Sequence, residues 1–349
     1  MNVRTGLAVV AVAILAMRGV AYADASMSKD IGNALIALQA HLDVAGKAMG
    51  EDGAQALGKR LADDLENIDG AADAPAGYTQ DDWAERLRRV SALDEDIVAQ
   101  VLSGKRAPLA GAHGLVERLL VSRVDGTLQP IALYVPQTLG PDPALVVLLH
   151  GHPQTETEIL GAPYFRALAD KTNTIIAAPW GRGFYDFYGM ATDDVYQTAD
   201  DVAAAYGVRS TRVFLAGYSM GGFSVFRVGP VIGSRWAAVL CISGAIVNSQ
   251  TAPVVKAFRN TPIYVVNGKL DDSIPSRYGV MTAQYLAGMG IPTGLYQEPQ
   301  GTHMVSTLVP SLTAAWNDML AGKVRNTPTD AAQAFALPQM LPESASLKP

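Results

Sequence analysis

Apolar residues recur along this chain with two different periods, and the change from one to the other divides it. Between residue 24 and about 110 the spacing is helical. Ile31, Leu35, Leu38 and Leu42 form one stripe, and Leu57, Leu61, Leu65 and Ile68 a second. Trp83, Leu87 and Val90 begin a third, which Leu93, Ile97 and Val101 continue. Thr79 and Ser91 stand where N-caps belong, each followed three residues on by an acid. The Gly- and Pro-containing stretch 69–77 breaks the helices, and 105–108 leads onward. Beyond it, runs at 115–121 and 129–135 flank Asp125-Gly126 and predict an antiparallel pair. Buried-strand runs then follow at 144–149, 173–178, 212–216, 236–242, 261–266 and 293–298, alternating with helical patterns at 160–170, 193–206, 221–229, 275–289 and 307–321. This alternation predicts an α/β fold, a mostly parallel doubly wound sheet of about eight strands, with an N-terminal α-helical extension. Four parts result: 1–23, 24–110, 111–323, and a tail at 324–349 whose Ala, Pro, Ser and Thr content predicts loose order.

Chemistry concentrates at strand ends. The run that begins at Val213 stops at Gly217-Tyr218-Ser219-Met220-Gly221, and a helical pattern follows. Gly-x-Ser-x-Gly between strand and helix is the nucleophile elbow, in which small residues permit a tight turn that holds the serine hydroxyl out. Such a serine needs a base, and the base an orienting acid. His303 lies in a polar loop after the strand run that ends at Glu298, and Asp271 and Asp272 follow the strand run 261–266. The all-apolar strand 144–149 ends in His150-Gly151-His152-Pro153, where the X-Pro bond is open to the cis form. All four motifs fall at carboxyl ends of strands, where doubly wound sheets bind ligands.

These motifs resemble the α/β-hydrolase superfamily. Together with Trp180-Gly-Arg-Gly183 and Asp193-Asp-Val195, they resemble more narrowly the exported bacterial esterases and prolyl-oligopeptidase-like hydrolases grouped with feruloyl esterases and polyhydroxybutyrate depolymerases. The likeness spans about 120 to 322. It implies a triad in the chain order Ser, Asp, His, which leaves His303 as the one histidine of five after Ser219. In the family pattern the acid stands four residues before a proline, so the resemblance favours Asp271, ahead of Pro275, and leaves Asp272 as a helix cap. It further implies an oxyanion hole from the main-chain N–H groups of Met220 and His152, with His150 structural. The expected activity is carboxylic ester hydrolysis through an acyl-enzyme. The same triad would serve a peptidase or amidase, and a non-catalytic binding protein on this fold is the reading from another class. The chain departs from the peptidase members in having no room for a β-propeller, and from many lipases in lacking length for a cap between Ser243 and Asn260.

Composition narrows the setting. Arg4, the apolar stretch 7–17 and Ala21-Tyr-Ala23 read as a secretory signal peptide cleaved after Ala23, placing the protein in the periplasm or outside the cell. The apolar stretch is short for a membrane span. Removing residues 1–23, with Arg4 and Arg18, turns 27 basic residues into 25 against 33 acidic, so the net charge moves from −6 to −8. That balance argues against nucleic acid or an anionic membrane as partner. Cys241 is the single cysteine, so no intrachain disulfide forms, and its strand-like surroundings predict a packed core thiol. His150 and His152, with no cysteine or carboxylate cluster beside them, make a poor metal set, and neither metal nor organic cofactor is expected. Trp180, Tyr185 and Tyr218 are candidates for substrate contact, though the aromatic stretch 180–188 equally suits packing of its own loop. Arg182 is expected to pair structurally with Asp186 or Asp193. The extension is expected to pack on the catalytic part.

Overall fold

Val146 and Val147 are neighbours in sequence, yet they belong to opposite cores. Successive side chains of a strand point to opposite faces, so a strand covered on both must be apolar throughout. That is the pattern of β3 (Ala144–Leu149), β4 (Thr174–Pro179), β5 (Val213–Tyr218), β6 (Val239–Ile242) and β7 (Ile263–Gly268), all buried along their length. The computed structural model describes residues 25–70, 74, 79–183 and 186–326. The expected signal peptide, Tyr185 and nearly all of the 324–349 tail lie outside these. With β1 (Gly114–Val121), β2 (Leu128–Val135) and β8 (Thr293–Glu298), the strands form one eight-stranded sheet in the order β1-β2-β4-β3-β5-β6-β7-β8. β2 runs antiparallel to both neighbours and every other pairing is parallel.

Helices cover the two faces. The extension comprises α1 (Ala25–Ala40), α2 (Leu42–Met49), α3 (Glu51–Gly70) and α4 (Gln80–Ser103). In the sheet-bearing part, α5 (Glu156–Gly161), α6 (Pro163–Thr172) and α11 (Val309–Leu320) share one core with Val146, Leu240 and Tyr264. On the other face α7 (Met190–Tyr206), α8 (Met220–Val228), α9 (Thr251–Ala257) and α10 (Arg277–Gly288) pack on Leu145, Leu215 and Val265. The strand ends match the sequence pattern within a few residues. α9, a short helix with little periodicity to betray it, was not anticipated.

The extension buries its stripes against itself and against the sheet edge. Ile31, Leu38, Leu57, Leu61 and Ile97 are fully buried in one cluster that also takes in Leu119 of β1 and Trp180. Thr79 caps α4 as expected, its side chain accepting the Asp82 N–H. Ser91 does not cap anything. The whole third stripe, from Trp83 to Val101, belongs to one continuous helix, and Ser91 lies buried in its middle. Leu42 is likewise displaced: it opens α2 and is exposed, because the chain turns at His41.

One charged side chain ties extension to sheet. Arg60 of α3 is fully buried and bonds Glu117 of β1 through both nitrogens of its fork, at 3.0 and 3.1 Å. It also reaches Glu156 of α5 at 2.6 Å and Asp94 of α4. Asp64, buried one turn along α3, completes a cluster of four carboxyls around one guanidinium. Burial is the largest influence on Asp64, Asp94 and Glu117 and outweighs the pull of Arg60, so all three carboxyls titrate above their ordinary values. Near the other end of β1, Arg182 pairs with Asp194 and Asp125 at 2.6 Å each. Its role is structural as expected, but with different partners from those the sequence suggested.

Cys241 sits in β6 with no exposure, and burial pushes its thiol up to about 12. It is therefore expected to resist a thiol reagent such as a maleimide at neutral pH and to label at once on unfolding. Rapid labelling of the folded protein would contradict the packing described.

Candidate active site

The turn after β5 is strained in the way the motif requires. Ser219 has φ 53° and ψ −114°, a conformation that a residue with a side chain rarely adopts. Gly217 and Gly221 make it possible, since a Cβ on Gly217 would lie 2.1 Å from the Gly221 carbonyl oxygen. The adjacent β3 loop also presses close: a Cβ on Gly151 would come within 3.0 Å of the Tyr218 ring and 3.2 Å of Ser219 Cβ.

The structure brings Ser219, His303 and Asp271 together. His303 Nε2 is 2.9 Å from Ser219 Oγ, and His303 Nδ1 is 2.9 Å from Asp271 Oδ2. With the proton on Nδ1, the ring donates to the carboxylate and accepts from the serine hydroxyl. Asp271 is held from its other oxygen, which accepts the Ser273 N–H at 3.1 Å and the Ile274 N–H at 2.7 Å. Its side chain is fully buried, whereas that of His303 keeps 21% exposure, so the ring alone meets solvent. Asp272 does not cap the following helix: α10 starts at Arg277 after Ser276, with no side-chain cap.

Other expected residues divide. Met220 is the first residue of α8, so its N–H has no carbonyl partner within the helix. His152 is exposed in the loop after β3, before a cis peptide bond to Pro153. Both loops leave neighbouring strands, since Leu149 pairs with Gly217. His150 is buried as a structural residue, its ring nitrogens facing the carbonyls of Gly151 at 3.0 Å and Trp180 at 3.2 Å. Trp180 is not a substrate contact. It is 2% exposed and packs among the extension's side chains, which leaves its ring no free face. Tyr185 lies outside the described residues. Tyr218 is mostly buried, and its hydroxyl donates to the His303 carbonyl at 2.9 Å with the two rings 5.4 Å apart. Its hydroxyl thus steadies the histidine loop, a task its place in the elbow did not announce.

A cavity of about 310 Å³ lies between Arg106, Leu120 and Gln197 at the β1 edge and includes none of these residues. A cavity of about 50 Å³ borders the elbow instead, with Tyr218 and Met304 in its wall. Among the described residues no group of three or more His, Cys, Asp or Glu could hold a metal ion, and no helix is long and apolar enough to cross a membrane.

An eight-stranded, mostly parallel sheet carrying a strained serine after its fifth strand and a histidine after its last is the α/β-hydrolase fold. Comparison with known proteins agrees. Residues 190–307 match the family described as Phospholipase/Carboxylesterase. A bifunctional acetylxylan esterase/xylanase of Neocallimastix patriciarum is 30% identical over 154 residues, which is 43% of this chain and 22% of that protein. Among solved structures, the Staphylococcus aureus fluorophosphonate-binding serine hydrolase FphF superposes with a TM-score of 0.51 at 17% identity, over 60% of this chain and 99% of that one. The Bordetella parapertussis poly(3-hydroxybutyrate) depolymerase LpqC gives 0.50 at 17% identity, over 64% and 94%. At such identities these structures speak for the fold alone. The chain has the α/β-hydrolase fold, and its segment 190–307 is similar to the phospholipases and carboxylesterases.

Proposed function

We propose that this protein is an exported serine esterase that hydrolyses carboxylic esters by two-step acyl transfer. One observation carries the reading: an unbroken hydrogen-bonded run from Asp271 through His303 to Ser219, with both links at 2.9 Å. In this reading His303, oriented by Asp271, takes the Ser219 proton as the hydroxyl attacks the ester carbonyl. The N–H groups of Met220 and His152 stabilise the tetrahedral oxyanion. The C–O bond then breaks, His303 gives its proton to the departing alcohol, and water repeats the sequence on the acyl-serine. The matched esterase family and the esterase relative favour an ester over an amide as substrate. Acidic composition and the Ala21-Tyr-Ala23 site favour export and a small or polymer-linked ester as partner rather than nucleic acid.

The test compares p-nitrophenyl acetate and butyrate with prolyl and aminoacyl p-nitroanilides. Ester turnover with inert anilides is the expected result, and faster anilide cleavage would make the protein a peptidase or amidase. Sequencing the exported protein should find Asp24 first. Within the site, Tyr218→Phe is expected to keep the fold and lower kcat/KM for p-nitrophenyl acetate by less than about tenfold, the worth of one neutral hydrogen bond. Asp272→Ala should match wild type, and a loss there comparable with that from Asp271→Ala would reverse their assignment.

A further inference from the structure

The loop that carries His152, residues 150–155, is held at both ends. At its start Leu149 pairs with Gly217 in the sheet, and the His150 carbonyl accepts the Gly221 N–H at 3.0 Å. At its far end the loop becomes α5, and there two of the holding groups come from the helical extension. Glu156 and Glu158 both stand in the first turn of α5. Arg60 of α3 bonds Glu156 at 2.6 Å, and Arg86 of α4 bonds Glu158 Oε1 at 3.3 Å. The other oxygen of Glu158 accepts the Thr155 N–H at 2.8 Å, and the Thr155 hydroxyl accepts the Glu158 N–H at 3.3 Å. One carboxylate thus joins Arg86 to the last residue of the loop. Arg86 is itself confined. It is 7% exposed, its guanidinium lies 4.9 Å from the centre of the Trp83 ring, and a Cβ on Gly161 would lie 3.3 Å from its Cγ.

Ile159 and Leu160 also bury α5 in the core of that face. Apolar burial is non-directional, so it resists removal of the helix more than its sliding or turning. The charged bonds at the first turn supply direction. Only Pro153 and Gln154 separate Thr155 from His152, and the proline ring fixes one of the few torsions that could absorb a shift. A displacement at Thr155 therefore reaches the His152 N–H. An oxyanion donor works at about 2.7–3.1 Å, and a misplacement of about 1 Å is costly. We propose that Arg86 is a positioning residue: through Glu158 it fixes the loop that carries His152, so that the helical extension helps set the rate of acyl transfer. The inference rests on the Ser219–His303–Asp271 reading above, with His152 as an oxyanion donor.

The test uses Arg86→Leu and Glu158→Gln, assayed at a temperature where circular dichroism shows every variant folded. Glutamine at 158 can still accept the Thr155 N–H, so that variant removes the charge Arg86 meets and keeps the cap. With p-nitrophenyl butyrate each is expected to lower kcat by about 10- to 50-fold and to change KM by less than about twofold. A trifluoromethyl ketone gives a second readout. Ser219 adds to its carbonyl carbon, His303 takes the proton, and the carbonyl oxygen becomes the oxyanion. Its affinity should fall by the same factor as kcat/KM, which a loss of folded protein would not produce. The double variant should be no slower than the slower single one, since both changes break one link. Arg86→Lys should recover part of the rate. Unchanged kcat in the folded single variants overturns the inference, as do losses that multiply in the double variant or a slower kcat with inhibitor affinity unchanged. Wild type lacking Ser219-dependent turnover overturns the esterase reading and this inference with it. Ser219-dependent turnover that ignores Arg86 overturns the inference alone.

Discussion

Alanine at position 219 should abolish ester turnover, lowering kcat by about 10⁵- to 10⁶-fold, while the protein stays folded. The substitution removes one oxygen, whose partner in the structure is His303 Nε2 at 2.9 Å. His303 keeps 21% side-chain exposure, so water can replace that partner and little folding stability is lost. Backbone strain is unchanged, because alanine carries the same Cβ into the positive φ that serine already tolerates. What disappears is the acyl-enzyme route itself. Residual hydrolysis should then come from the oxyanion N–H groups and substrate binding alone. The check is initial rate and acyl-enzyme burst with p-nitrophenyl acetate, beside a thermal melt. A folded variant that keeps more than about 1% of wild-type turnover would remove Ser219 from the mechanism.

Arg60→Leu should cost about 3–5 kcal/mol of stability, the range for breaking a fully buried ion pair by removing one partner. Leucine fits the surrounding apolar stripe, so lost volume is not the cause. The cause is that Asp94, Glu117 and Glu156, whose side chains have no exposure, lose the cation that bonds all three. The effect has a pH signature. Asp64, Asp94 and Glu117 are raised in the folded protein, chiefly by burial. Groups raised on folding contribute stability that is complete below their unfolded values, near pH 4, and lost as pH climbs through the folded ones. Without Arg60 those folded values climb further, so the loss deepens with pH. Denaturant melts of wild type and variant at pH 5 and pH 8 should therefore differ more at pH 8. A difference under about 1 kcal/mol at both, or one that shrinks with pH, would refute this account. Arg60→Lys should fall between, since ammonium keeps the charge but not the two-pronged bond to Glu117.

Arg60 also marks where the sequence was hard to read. Leu57, Leu61 and Ile68 were recognised as a buried stripe, but Arg60 and Asp64 fall on the same face at spacings of three and four. Two charges on an apolar face were a signal of burial and pairing, though nothing local could name Glu117 or Glu156, 57 and 96 residues away. The sheet was legible because both of its faces are covered, which makes each central strand a continuous apolar run. Ser219, His303 and Asp271 were legible because each ends or follows such a run, and the elbow's glycines leave a mark that no tertiary contact is needed to see. Trp180 misled for the complementary reason. Its place after β4 pointed to the cleft, but the helices that cover its ring come from a part of the chain with no positional motif.

The Arg60 cluster also sets a timetable for a chain made from its N-terminus. The guanidinium is synthesised first, and Asp94 is the earliest of its bonded partners. Glu117 comes with the first strand and Glu156 only after the third, so the anchor is incomplete until the chain is 96 residues past the arginine. Until then the leading helices hold a buried-to-be cation without its full complement of anions, and β1 has no finished surface to receive them. Helices and sheet edge are thus obliged to mature together. Cutting the chain near residue 110 to obtain a smaller enzyme would strand Glu117 and Glu156 and strip the cover from Trp180, whose carbonyl faces His150 in the loop against the elbow.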